Sequence, residues 1–140
     1  LLLFFTGFSR NSSLILKEQH NKSIKNDKET FNNLDYVKYL GYEIKKNLIK
    51  GNCMEFGRLM HEHWQYKLAR SKRMSNPKIN EIYDFAIKNG AIGGKLIGAG
   101  GGGFLLFYTN TPNLLRKTLI NKNLKEVRFK FDFEGVKQIL

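Results

Sequence analysis

The chain has 140 residues, 41% of them hydrophobic, enough for one domain with a real core. No run approaches the ~18 apolar residues that a membrane-spanning helix needs. The apolar start, Leu1 to Phe5, is too short and too uncharged at its front for a signal peptide. The formal net charge is +12, from 24 basic and 12 acidic residues. That excess suits anionic partners such as nucleotides, sugar phosphates or nucleic acid, or else a lysine-rich face that keeps the protein soluble. The single Cys53 excludes an internal disulfide and fits a reducing compartment.

Leu1 to Phe5 reads as a buried strand. Thr6-Gly7-Phe8-Ser9-Arg10 turns into a helix, for which Asn11, Ser12 and Ser13 are cap candidates. Leu14, Ile15 and Leu16 lead its apolar stripe, and Lys17 to His20 end it. The polar stretch Asn21 to Lys28 reads as a loop or a frayed helix end. Phe31, Leu34, Val37, Leu40, Ile44 and Leu48 recur at helical spacing, so Thr30 to Lys50 is one long helix, broken at Gly51-Asn52. A second amphipathic helix runs from about Cys53 to Ser71, with Phe56, Leu59, Met60, His63, Trp64 and Leu68 on one face. Pro77 after Asn76 suits the first turn of the next helix, and Gly90 suits its end.

The stretch from Gly90 to Thr109, GAIGGKLIGAGGGGFLLFYT, holds Gly90, Gly93, Gly94, Gly98 and Gly100–Gly103. Lys95 to Ile97 reads as a short strand before the loop, and Phe104 to Tyr108 as a buried strand after it. Glycine loses the most backbone freedom on folding, and a turn alone needs only one or two. The run therefore reads as a loop that another backbone or a ligand approaches closely, beside the plainer reading of a wide, flexible turn. A strand follows the glycines, which argues against a Rossmann fingerprint, and no GxxxxGK[ST] is present. Thr111-Pro112-Asn113 opens a further helix. Val127, Phe129 and Phe131 alternate with Arg128 and Lys130, the pattern of a half-buried strand, and Phe133 to Leu140 would add a short edge strand. The order is βαββαβ: an α+β fold with a ferredoxin-like antiparallel sheet and extra helices in the first crossover.

The segment GGKLIGAGGGGFLLF resembles the third conserved motif of the GHMP kinases, the group of galactokinase, homoserine kinase and mevalonate kinase. Leu1 to Arg10, Phe56 to Trp64 and Ser75 to Ala86 resemble the carboxyl-terminal lobe of sugar-1-kinases of the D-glycero-D-manno-heptose 7-phosphate kinase type. The resemblance covers nearly the whole chain, and Asn21 to Asn33 matches nothing in particular. It implies ATP-dependent phosphoryl transfer to the anomeric hydroxyl of a heptose phosphate, in the cytoplasm, for cell-surface polysaccharide synthesis. ATP and magnesium would be held mainly by an amino-terminal lobe of the same polypeptide. The family's serine-rich ATP loop and catalytic acidic residue do not occur in these residues, and the chain starts inside a strand without an initiator Met. The expectation is a piece of a longer kinase, inactive alone, with no catalytic residue of its own.

The expected substrate contacts are Thr6, Gly7, Ser9, Arg10, His63 and Lys95, with Gly98, Ala99, Gly100, Gly101, Gly102 and Gly103 near the phosphates. Arg10 stands at a helix start, where its charge opposes the dipole; its planar fork could hold a phosphate there. His63 reads either as a core histidine with a satisfied hydrogen bond or, by the resemblance, as facing the sugar. Lys95 reads as a surface lysine or as a cation reaching an anionic substrate. His61 and His63 sit about 200° apart on a helix and cannot share a metal. With no CxxC or HExxH present, no metal site is expected. Cys53 reads as structural, and no serine nucleophile is supported. The alternative is a ferredoxin-like regulatory or RNA-binding module. Against it, the pattern sets Phe129 and Phe131 with Val127 on the core face, and no segment matches an RNP1 consensus. Neither a nucleic-acid nor a membrane partner is expected.

Overall fold

The computed structural model describes residues 1–9, 13–24, 27–71 and 73–136. Strand β1 (Leu2–Phe5) is followed by helices α1 (Ser13–Ile24), α2 (Lys28–Ile49), α3 (Cys53–Ala69) and α4 (Pro77–Lys88). Then come β2 (Gly93–Leu96), β3 (Phe104–Tyr108), α5 (Pro112–Asn121) and β4 (Lys125–Glu126). The strands form an antiparallel sheet in the order β2-β3-β1-β4. This is the expected ferredoxin-like arrangement, with four helices in the first crossover.

One face of the sheet makes the core. The register sets Leu2 opposite Phe107, Phe4 opposite Leu105, and Leu105 opposite Leu96. Side chains of one face therefore stack across three strands, and all five are buried. Trp64 of α3, Ile79, Tyr83 and Ala86 of α4, and Leu115 and Leu119 of α5 close over them. Each large side chain so buried is worth about 1.5–3 kcal/mol.

The helix ends follow local chemistry. Asn52 and Asn76 cap α3 and α4 by accepting from Glu55 N and Ile79 N, and Pro77 fills the first turn of α4. Gly90 lies just past α4 at φ +102°, a conformation that suits glycine.

The ends of the expected elements shift in two places. Helix α1 runs through Ile24, into the stretch Asn21 to Lys28 that had read as a loop or a frayed helix end, because no glycine or proline interrupts the turn. Strand β4 holds only two residues, where Val127 to Phe131 had read as the strand. Val127 N still donates to Leu3 O at 2.8 Å. Among the described residues from Lys125 onward, strand pairing with β1 covers only Lys125 and Glu126. Phe129 and Phe131 are 41% and 64% exposed, against the expectation of a core face, and Phe133 is 92% exposed. They pack edgewise or tilted on one another instead. Residues 133–136 form no strand, and the rest of the expected edge strand lies outside the described residues.

Helix α3 lies directly on β2. A Cβ on Gly93 would fall 1.8 Å from Gly57 O, and one on Gly57 would fall 2.5 Å from the Tyr108 ring. The two glycines let helix and strand backbones touch. Gly93→Ala should therefore destabilise the fold by roughly 1–3 kcal/mol through overpacking, whereas Gly41→Ala, with open space around its Cβ, should not. Thermal denaturation of both variants checks this; an unchanged Tm for Gly93→Ala would contradict the close contact.

Candidate active-site face: a glycine loop and a cationic stripe

The loop from Gly98 to Gly103 is held over its second half by the protein's own chain. Thr6 donates through its N–H and its Oγ1 to Gly103 O, each at 2.9 Å, and Gly103 N donates to Phe8 O at 2.8 Å. Gly101 N donates to Met74 O at 2.8 Å. A Cβ on Gly100 would fall 2.5 Å from Met74 Sδ, and one on Gly102 would fall 2.7 Å from Phe8 O. The close approach that the glycines permit is thus made by two protein segments. Gly98, Gly100, Gly101 and Gly103 also have positive φ. At Gly98, by contrast, an added Cβ meets nothing within 4 Å, and Gly98 is exposed. That end of the loop is open to a ligand.

Beside the open end runs a stripe of cations. His63, Lys67 and Arg70 stand four and three residues apart, so they share one side of α3 and its C-cap. Lys67 is buried, and its Nζ donates to Leu96 O at 3.3 Å and Gly98 O at 2.5 Å. Lys95 is a half-buried neighbour on β2. Burial pushes the His63 imidazole down to about 4, and the charges of Lys95, Arg70 and Lys67 add to that. Burial and then the charges of Lys95 and Arg70 bring the Lys67 ammonium down to about 8. Arg70 and Lys95 are lowered as well, first by burial. Among the described residues, no carboxylate pairs with Lys67 or Lys95. His63 Nδ1 is buried with no hydrogen-bond partner there, which corrects the expectation of a satisfied core histidine.

The expected site residues fall into two groups. Thr6 is buried and anchors the glycine loop, while Gly7 (φ +81°) and Ser9 are exposed on the same turn. His63 and Lys95 come together on the stripe. Arg10 lies outside the described residues. Sequence reasoning missed Lys67 and Arg70. Their signal was available: both follow His63 at helical spacing, on the side of α3 that also carries the buried Trp64. His61 turns to Tyr83, with Nδ1 2.8 Å from its hydroxyl and the rings stacked, a packing role. Cys53 is exposed at the start of α3. Among the described residues, no cluster of three His, Cys, Asp or Glu side chains could hold a metal ion, so magnesium is assigned to none of them. A groove of about 510 Å³ between α2 and α3, lined by Asn33, Tyr36, Gln65 and Tyr66 among others, includes none of the stripe cations.

The fold and this loop are those of one family. The family model "GHMP kinases C terminal" matches residues 44–125. The D-glycero-alpha-D-manno-heptose 7-phosphate kinase of Campylobacter jejuni is 32% identical over 139 residues, covering 97% of this chain and 40% of that protein. The L-fucokinase/L-fucose-1-P guanylyltransferase of Bacteroides fragilis is 31% identical over 93% of this chain and 14% of its own length. The crystal structure of L. major mevalonate kinase in complex with R-mevalonate matches with a TM-score of 0.78 at 19% identity, over 86% of this chain and 37% of that one. The chain belongs to the GHMP kinase family, as its carboxyl-terminal domain. It spans less than half the length of these relatives.

The stripe makes a pH prediction. His63 has a folded pKa near 4, below the ordinary 6.5, so between these values the unfolded chain binds the proton more readily. The His63 contribution to stability is complete above about pH 6.5 and is lost as pH falls toward 4. A histidine NMR titration should find His63 neutral at pH 6, with its pKa moving upward in Lys95→Met. A midpoint near 6.5 in the unmodified protein would contradict the buried cationic setting.

Proposed function

We propose that this chain is the substrate-facing carboxyl-terminal lobe of an ATP-dependent sugar kinase that phosphorylates the anomeric hydroxyl of D-glycero-D-manno-heptose 7-phosphate in the cytoplasm. The carrying observation is the 32% identity to the Campylobacter heptose 7-phosphate kinase across nearly the whole chain. The open end of the glycine loop beside a cationic stripe supports it, since donor and acceptor in this reaction both carry phosphates. The partners in this reading are an amino-terminal lobe of the same polypeptide, ATP with magnesium, and the sugar phosphate.

Phosphoryl transfer asks the protein mainly to position groups and to stabilise charge. In this reading the loop from Gly98 to Gly103 offers backbone close to the phosphates. The turn carrying Thr6, Gly7 and Ser9 fixes that loop through the Thr6–Gly103 bonds and borders the substrate. Arg10, His63 and Lys95 supply polar and cationic contacts. Magnesium would offset phosphate charge. The proton-accepting group belongs to the remainder of the enzyme. No helix of the described residues is long and apolar enough to cross a membrane. No observation favours the regulatory or RNA-binding module.

The test is to incubate the full-length polypeptide with MgATP and a panel of sugars and sugar phosphates, reading the product by phosphorus NMR. The expected product is an anomeric phosphate of the heptose 7-phosphate, with none from the 140 residues alone. Transfer to another hydroxyl, or to no sugar, would overturn the reading. Gly102→Val should abolish turnover while the circular dichroism spectrum stays near native, because its side chain displaces the Phe8 turn. Near-normal turnover would remove the loop from the reaction.

A further inference from the structure

We infer that His63, Lys67 and Lys95 form a phosphate-monoester site that holds the phosphate already present on the acceptor sugar; this deepens the reading above and rests on it. The position carries the argument. Lys67 is fixed by the carbonyls of Leu96 and Gly98, so one ammonium is pinned where β2 becomes the glycine loop. Lys67 thereby stands beside the loop's exposed residue Gly98, His63 lies one helical turn before it on α3, and Lys95 on β2 is near enough for its charge to act on both.

A fold gains nothing from gathering like charges in a half-buried place, because both burial and repulsion disfavour them. Surface lysines could instead have pointed into water, as Lys46 and Lys78 do in pairing with Glu43 and Glu81. A dianion would reverse the balance, since each ammonium donates a charge-assisted hydrogen bond to it. The buried, unpartnered Nδ1 of His63 gives the seam one more group able to donate to a phosphate oxygen. Lysine suits this role as a point charge, with no demand for bidentate geometry.

Two measurements on the full-length protein test this. The first follows the His63 ring signals by NMR as inorganic phosphate is added. A saturable shift is expected, weakened about 10- to 150-fold in Lys95→Met, as for one charge-assisted contact. The second varies each substrate in steady state. In Lys95→Met the KM for the phosphorylated sugar should rise by a similar factor while the KM for ATP holds, and Lys95→Arg should recover most of the loss. Lys67→Met serves as a second variant, read for phosphate binding once its fold is verified. No shift of His63 with phosphate, or a rise in the KM for ATP instead, overturns the proposal. An unchanged sugar KM in both methionine variants of an active heptose-phosphate kinase also overturns it while leaving the kinase reading intact. A saturable shift in a protein that phosphorylates no sugar would sink the kinase reading and keep the anion site.

Discussion

The contact between α3 and β2 is the constraint on which the site depends. β2 is an edge strand, and an edge leaves backbone groups without partners in the sheet. Helix α3 packs against it with backbone close to backbone, because Gly57 and Gly93 have no side chains to hold the two apart. Further along the same seam, Lys67 donates to Leu96 O and Gly98 O. One docking event thus covers the sheet edge, fixes the entrance to the glycine loop and sets three cations beside it. The loop's other tethers, at Phe8 and Met74, come from segments that β1 and α4 position. Shifting α3 by even part of a turn would disturb its glycine contact with β2 and the Lys67 bonds together.

Charge runs through the same seam. Elsewhere on the described surface, ion pairs join residues a helical turn apart or tie Glu126 to Arg116 and Arg128. Exposed pairs of the first kind contribute little to stability. The α3–β2 seam instead holds ammonium groups partly out of water, and among the described residues no carboxylate pairs with Lys67 or Lys95. Local rules of stability are most often broken where function needs them broken. The seam is such a place, and it adjoins the glycine loop, which lies within the residues the family model matches.

Much of the fold was legible in the sequence. Helical spacing, caps at Asn52 and Asn76, and the glycine–strand boundary at Phe104 each depend on a few neighbouring residues, and they gave α2, α3, α4 and β3 nearly to the residue. The end of β4 was not legible, because alternation in Val127 to Phe131 is a local pattern, whereas strand pairing depends on residues far away in the chain. The glycine loop was legible as a place of close approach, but not what approaches. Phe8 and Met74 come from distant parts of the chain, and no local pattern names them. The stripe was half legible. His63 and Lys95 stood out as residue types, whereas Lys67 looked like an ordinary helix lysine until β2 was laid against it.

The most direct test of the central claim, that the seam and loop together receive a phosphorylated substrate, is a crystal structure of the full-length protein with the sugar phosphate bound. The account predicts the acceptor's phosphate within about 3 Å of the Lys67 and Lys95 ammonium groups, with the loop from Gly98 to Gly103 bordering the same ligand. A carboxylate from elsewhere in the polypeptide filling the seam, with the sugar's phosphate bound away from it, would contradict the account.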